Sequence, residues 1–142
     1  MRIALIGYGK MGKTIEDIAI SRGHEIVGKS NSQNPISNLN FSNIDVAIEF
    51  TTPHFAKQHI EYCIDNKVPV VVGTTAWNDQ LPEVKEYVTK KNGALLYASN
   101  FSIGVNIFFE INQRLAKLMS NNSEYKPSVE ETHHLEKIDT PS

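Results

Sequence analysis

Short apolar runs alternate along the chain with stretches in which apolar residues recur every three or four positions. Ile3-Ala4-Leu5-Ile6, ended by Gly7, reads as a buried parallel strand. Met11, Ile15, Ile18 and Ala19 then share one face of a helix over 10–22, with Gly23 as its stop. Glu25 to Val27 predicts a second strand and Val46 to Phe50 a third. Between them, 30–42 is rich in Asn and Ser and reads as a poorly ordered loop. Helical spacing from Phe55 to Ile64, with Thr52 or Pro53 at its start, predicts a second helix. Val68 to Val72 is the most clearly buried strand, Asn78 to Lys91 a third helix ended by Gly93, and Ala94 to Ala98 a fifth strand. This alternation predicts an α/β fold, a Rossmann-type doubly wound parallel sheet with helices on both faces.

After the fifth strand the pattern changes. Ile103 to Met119 predicts one long amphipathic helix, and Ser120-Asn121-Asn122-Ser123 a linker. Ser128 to His134 then reads as a strand that does not continue the alternation. A boundary in the linker divides the chain into a dinucleotide-binding domain over 1–119 and the incomplete start of a second, α+β domain over 120–142.

Composition narrows the function classes. The 142 residues are 40% hydrophobic and 21% charged, which fits a globular domain with its own core. A net charge of −2 supplies no basic field for nucleic acid. The apolar runs are too short to span a bilayer, and the N-terminus lacks the layout of a signal peptide. Cys63 is the single cysteine, so no internal disulfide can form and a reducing, cytoplasmic setting is expected. It falls inside a predicted helix and reads as a core residue.

The candidate chemistry begins at Gly7-Tyr8-Gly9-Lys10-Met11-Gly12, a G-x-G-x-x-G between a predicted strand and a predicted helix. Glycines there permit a tight turn and close approach of backbone to a pyrophosphate, which the helix N-terminus favours. An acid that would hold the adenosine ribose is expected about 20 residues further on. Lys29-Ser30-Asn31 stands there without a carboxylate. Lys29 suits a 2′-phosphate, with Ser30 and Asn31 as hydrogen-bonding groups, which leans toward NADPH or dual use; equally, Lys29 is a solvated loop lysine. Gly73-Thr74-Thr75 and Ala98-Ser99-Asn100-Phe101 follow the fourth and fifth strands, at the sheet edge where ligands bind, and suit contact with a nicotinamide and its ribose. Trp77 and Phe101 read as packing groups, and His24, His54 and His59 form no pattern. The closing segment places His133, His134 and Lys137 together, proton donors and cations suited to half of an active site. Adjacent histidines on opposite faces of a strand do not readily share a zinc ion.

These residues resemble the 4-hydroxy-tetrahydrodipicolinate (dihydrodipicolinate) reductase family of the diaminopimelate route to lysine. The resemblance rests on Gly7 to Gly12, Glu49-Phe50-Thr51 with Pro53, Gly73-Thr74-Thr75, Ser99 to Val105, and His133 to Ser142, in that order along the whole chain. It implies a nucleotide domain followed by a substrate and tetramerisation domain. It also implies hydride transfer from NADH or NADPH to C4 of a six-membered dicarboxylate ring, with loss of the hydroxyl as water. Carried over by position, His133 is the proton donor/acceptor and Lys137 the proton donor. His134 and Ser142 contact substrate, and Gly7 to Gly12, Lys29, Gly73 to Thr75 and Ala98 to Phe101 contact the cofactor. Ala76 stands where glycine usually follows Gly-Thr-Thr, a change expected to cost little. In the family a Gly-Thr pair follows the position of Ser142, then the rest of the substrate domain and a segment that returns to the nucleotide domain. The chain thus matches roughly the first half to two thirds of a family member. It is expected to bind a nicotinamide dinucleotide, to be a poor reductase by itself and to aggregate. A nucleotide-binding module without turnover is the alternative. A dehydrogenase of another small amino or keto acid is a third reading, and the His133 to Lys137 segment argues against it.

Overall fold

A computed structural model describes residues 1–132. These divide into two compact units, one over Met1–Ser99 and one beginning at Asn100. The division precedes the long helix, earlier than the linker at which the sequence reading places a domain boundary.

The first unit is a five-stranded parallel sheet: β1 (Arg2–Ile6), β2 (Glu25–Ser30), β3 (Val46–Glu49), β4 (Val70–Val72) and β5 (Leu95–Tyr97). Between them run α1 (Lys10–Ser21), α2 (Pro53–Asp65) and α3 (Leu81–Lys90). The spatial order is β2-β1-β3-β4-β5. From β1 the chain steps to β2 on one side and then to β3 on the other, so the reversal falls between β1 and β3. In open sheets of this kind that reversal opens a crevice at the carboxyl ends of the two strands.

Alternation along β1 sends Ala4 and Ile6 to one face of the sheet and Ile3 and Leu5 to the other. The first pair joins the larger core with Ala56, Ile60 and Ile64 of α2 and Val84 and Val88 of α3. The second pair packs with Ala19 of α1. Cys63, fully buried in the larger core, is the packing residue the sequence implied.

The segment between β2 and β3 differs from the expected poorly ordered loop. β2 runs on to Ser30, because Lys29 and Ser30 pair with Leu5 and Ile6. Two 3-10 turns follow, Ile36–Asn38 and Phe41–Asn43, and buried Ile36 and Ile44 anchor them to the core. The third predicted helix splits into a 3-10 turn at Asn78–Gln80 and α3. Its terminator is Asn92, in the left-handed region at φ 51°. Gly93 serves a different purpose: a Cβ there would lie 2.8 Å from the Ile64 side chain. Lys67 takes the same left-handed role after α2, at φ 61°.

The second unit contains α4 (Ile103–Met119), whose Ser102 side chain caps the first turn by accepting from the Val105 N–H at 3.4 Å. Ser128 to Thr132 form no strand, contrary to the expectation for 128–134. A strand requires a paired partner for its N–H and C=O groups, and the described residues of this unit include no second strand. His133 and His134 lie outside the described residues.

Candidate nucleotide-binding site

The β1–α1 turn sits at the topological reversal. Gly7, at φ 96°, occupies a conformation that L side chains avoid. A Cβ there would also lie 2.0 Å from the Phe50 carbonyl oxygen, so the turn is pressed against the end of β3. The Gly7 and Tyr8 N–H groups donate to the Ser30 carbonyl at 3.2 and 2.8 Å, tying the turn to the end of β2. Gly12 is buried, and a Cβ there would meet the Gly7 carbonyl oxygen at 2.5 Å. Packing therefore requires two of the three motif glycines.

Gly9 is different. Its φ is −95°, outside the left-handed region, and a Cβ built on it meets nothing within 4 Å. It is the N-cap of α1 and offers no side chain to the free N–H groups of the first turn. No neighbouring atom demands glycine here. The bare backbone leaves room for the close approach of a ligand, and the partial positive end of α1 favours an anion. The turn therefore fits a dinucleotide pyrophosphate. Lys10 and Met11 are exposed on the same first turn.

The ends of β3 and β4 are stitched together. The Thr51 N–H donates to Thr74 Oγ1 at 2.8 Å, and the Gly73 N–H to the Glu49 carbonyl at 2.9 Å. Buried Trp77 donates its Nε1–H to the Thr74 carbonyl at 2.7 Å and packs its ring on Tyr97. Thr74 is itself buried, Thr75 half-buried. At Gly73 a Cβ would fall 2.1 Å from the Phe50 ring. Ala76 occupies the left-handed region at φ 61°. The expectation that alanine costs little there is therefore wrong: such a conformation costs a non-glycine residue roughly 1–2 kcal/mol. Ala98 extends the β4–β5 ladder, donating its N–H to the Val72 carbonyl at 3.4 Å, and Ser99 is exposed beside it. The structure thus gathers Gly7 to Gly12, Gly73 to Thr75, Ala98 and Ser99 on the carboxyl edge of one sheet. Asn100 and Phe101 begin the second unit, where Asn100 Oδ1 accepts from the Ser102 N–H at 2.8 Å and Phe101 is 45% exposed. His133, His134, Lys137 and Ser142 lie outside the described residues.

Lys29 is not a free loop lysine. Its Nζ lies 2.6 Å from Glu16 Oε1 on α1, 3.3 Å from the Tyr8 hydroxyl and 4.5 Å from the centre of the Tyr8 ring. The Tyr8 hydroxyl donates to the other Glu16 oxygen. The hydrogen bond to Glu16 holds the Lys29 ammonium above the ordinary lysine range, and Lys29 followed by Tyr8 holds the Glu16 carboxyl below its own. No periodicity reveals this cluster, because its members come from a turn, a helix and a strand.

Sequence reasoning assigned no site role to Glu49, Thr51 or His59, although Glu49-Phe50-Thr51 is one of the segments that carry the resemblance. Glu49 is fully buried at the end of β3. It accepts from the Thr51 hydroxyl and lies 3.5 Å from His59 Nδ1, while its Oε2 has no hydrogen-bond partner among the described residues. Burial, then the nearby Glu49 charge, pushes the Cys63 thiol up to about 12. For His59 the sequence signal was the i, i+4 spacing of Phe55, His59 and Cys63 on one face of α2.

The family model described as dihydrodipicolinate reductase, N-terminus, matches residues 1–101, and that described as its C-terminus matches 104–142. The chain belongs to the dihydrodipicolinate reductase family. A 4-hydroxy-tetrahydrodipicolinate reductase from Christiangramia forsetii is 48% identical over 142 residues, all of this chain and 59% of the relative. One from Buchnera aphidicola is 36% identical over 98 residues, 69% of this chain and 35% of its own length. The solved structure of dipicolinate-bound dihydrodipicolinate reductase from Paenisporosarcina sp. TG-14 aligns with a TM-score of 0.64 at 27% identity, covering 100% of this chain and 61% of that one. The chain thus spans about three fifths of the full-length dihydrodipicolinate reductases it matches end to end. Among its described residues no helix is long and apolar enough to cross a membrane.

Proposed function

We propose that this chain carries the dinucleotide-binding part and the beginning of the substrate part of a 4-hydroxy-tetrahydrodipicolinate reductase, acting in the cytoplasm on the diaminopimelate route to lysine. The observation that carries the reading is the unfilled space over Gly9 at the topological reversal, in a family whose relatives are named as reductases. Gly7 to Gly12 would hold the pyrophosphate. Gly73 to Thr75 and Ala98 to Phe101 would hold the nicotinamide ribose and ring. NADH or NADPH supplies the hydride when bound.

Addition of hydride at one ring carbon leaves negative charge at its neighbour, which must be protonated. His133 and Lys137 are the proposed proton carriers. His134 and Ser142 are proposed to contact the substrate carboxylates, which require cationic and hydroxyl donors. The homotetramer implied by the family is proposed for the full-length form.

The test uses a version extended to the length of the relatives. Lys137→Ala and His133→Gln should lower kcat with the Kd for NADH nearly intact. An unchanged kcat in both would remove them as proton carriers. Failure of the unsubstituted 142-residue chain to bind either dinucleotide would overturn the nucleotide reading itself.

A further inference from the structure

We propose that Glu16 sets the dinucleotide preference of this chain: by holding Lys29 it withholds the end of β2 from a 2′-phosphate and favours NADH over NADPH. The inference rests on the dinucleotide reading above. In folds of this kind the residues at the end of the second strand face the adenosine ribose, where a carboxylate selects the 2′-hydroxyl and a cation the 2′-phosphate.

Lys29 is the only Lys or Arg between Glu25 and Asn40. As a free cation it would recruit the phosphate of NADPH. It is not free. One Glu16 oxygen lies 2.6 Å from its ammonium, and the other accepts from the Tyr8 hydroxyl, which itself lies 3.3 Å from the lysine. The Tyr8 ring flanks the same ammonium at 4.5 Å. Glu16 is only 16% exposed at its side chain, against 39% for Lys29, so the carboxylate is the anchored member.

Three neighbouring polar residues are already engaged, although Asn31 is exposed. Ser30 is buried. Asn31 Oδ1 accepts from the Gln33 and Asn34 N–H groups at 2.9 Å each, and Asn34 Nδ2 donates to the Lys29 carbonyl at 2.7 Å. A 2′-phosphate arriving here meets an ammonium whose charge Glu16 already neutralises. The uncharged ribose hydroxyl of NADH does not need that charge. Withholding the cation lowers the affinity for one ligand and leaves the other unchanged, and specificity is that difference.

The experiment is a fluorescence titration of the 142-residue chain with NADH and with NADPH at fixed ionic strength. It compares the unsubstituted protein with Glu16→Gln and with Glu16→Gln/Lys29→Gln. The unsubstituted chain should bind NADH more tightly. Glu16→Gln keeps the side-chain volume and frees one positive charge. It should improve the NADPH-to-NADH affinity ratio about five- to tenfold, the size of one added charge-assisted contact. That gain should weaken as salt rises and disappear in the double variant. A merely structural role for Glu16 would change both affinities alike and leave the ratio flat, and a flat ratio overturns the proposal. So does an unsubstituted chain that prefers NADPH. Absence of binding to either nucleotide overturns the dinucleotide reading and this inference with it, whereas binding with a flat ratio overturns this inference alone.

Discussion

The three glycines of the β1–α1 turn should fail in two distinct ways when replaced by alanine. At Gly7 the new Cβ would lie 2.0 Å from a backbone carbonyl oxygen, with φ at 96°. The left-handed conformation costs alanine roughly 1–2 kcal/mol, and relief of the overlap by shifting β3 adds roughly 1–3 kcal/mol. A loss of roughly 2–5 kcal/mol is a large share of a typical domain's stability. At Gly9 the same methyl enters open space at φ −95°. Restricting the unfolded chain contributes about 0.4–1 kcal/mol of stabilisation. The poorer N-cap opposes it by a comparable amount. Gly9→Ala should therefore melt within about 1 kcal/mol of the parent, yet bind NADH at least tenfold more weakly, about 1.4 kcal/mol, because its methyl would occupy the proposed pyrophosphate approach. Circular-dichroism melting and NADH fluorescence titration on the same samples separate the two effects. If Gly9→Ala binds NADH like the parent, or melts as early as Gly7→Ala, the division of labour within the motif is wrong.

Ala76→Gly should raise stability by about 0.5–1 kcal/mol, since relief of the left-handed alanine exceeds the added unfolded-state entropy; a lower Tm would refute the assigned strain. Cys63, with its thiol pushed up to about 12, should resist maleimide labelling in native protein at pH 8 and react once urea unfolds the chain; equal rates in both would refute its burial. Asp45 lies 2.6 Å from Arg2, and the hydrogen bond to that guanidinium holds its carboxyl below the ordinary range. A depressed carboxyl stabilises above its unfolded value and loses that contribution as pH falls through the folded one. Asp45→Asn should therefore melt earlier than the parent at neutral pH, with the gap closing in acid below about pH 4.

Periodicity revealed what packing dictates. β1, β3, α1 and α2 fall close to their predicted positions because each buries a continuous face, and the long helix follows its apolar spacing from Ile103 to Met119 although none of its residues is buried. Polar residues used in pairing were harder to read. Lys29 and Ser30 look like loop residues but extend β2, because edge-strand pairing with β1 satisfies the backbone whatever the side chains. Glycine misled at Gly93, where the empty Cβ position accommodates Ile64 while Asn92 makes the turn. In the site, Gly7 to Gly12 were legible because the motif combines a local conformation with a local spacing. Glu16 with Lys29, and Glu49 with His59, were not, since each pair joins residues that only the folded sheet makes neighbours.

Lys67 and Asn92 each carry a left-handed backbone at the junction entering β4 or β5. Those junctions lie at the amino ends of the strands, whereas Gly9, Thr75 and Ser99 lie at their carboxyl ends. Engineering can therefore treat the two rims of the sheet as separate dials. Glycine at 67 or 92 tunes robustness from the amino rim while leaving the ligand-facing rim in its original form, so a sturdier host for redesigning nucleotide choice can be prepared before any residue of that choice is altered.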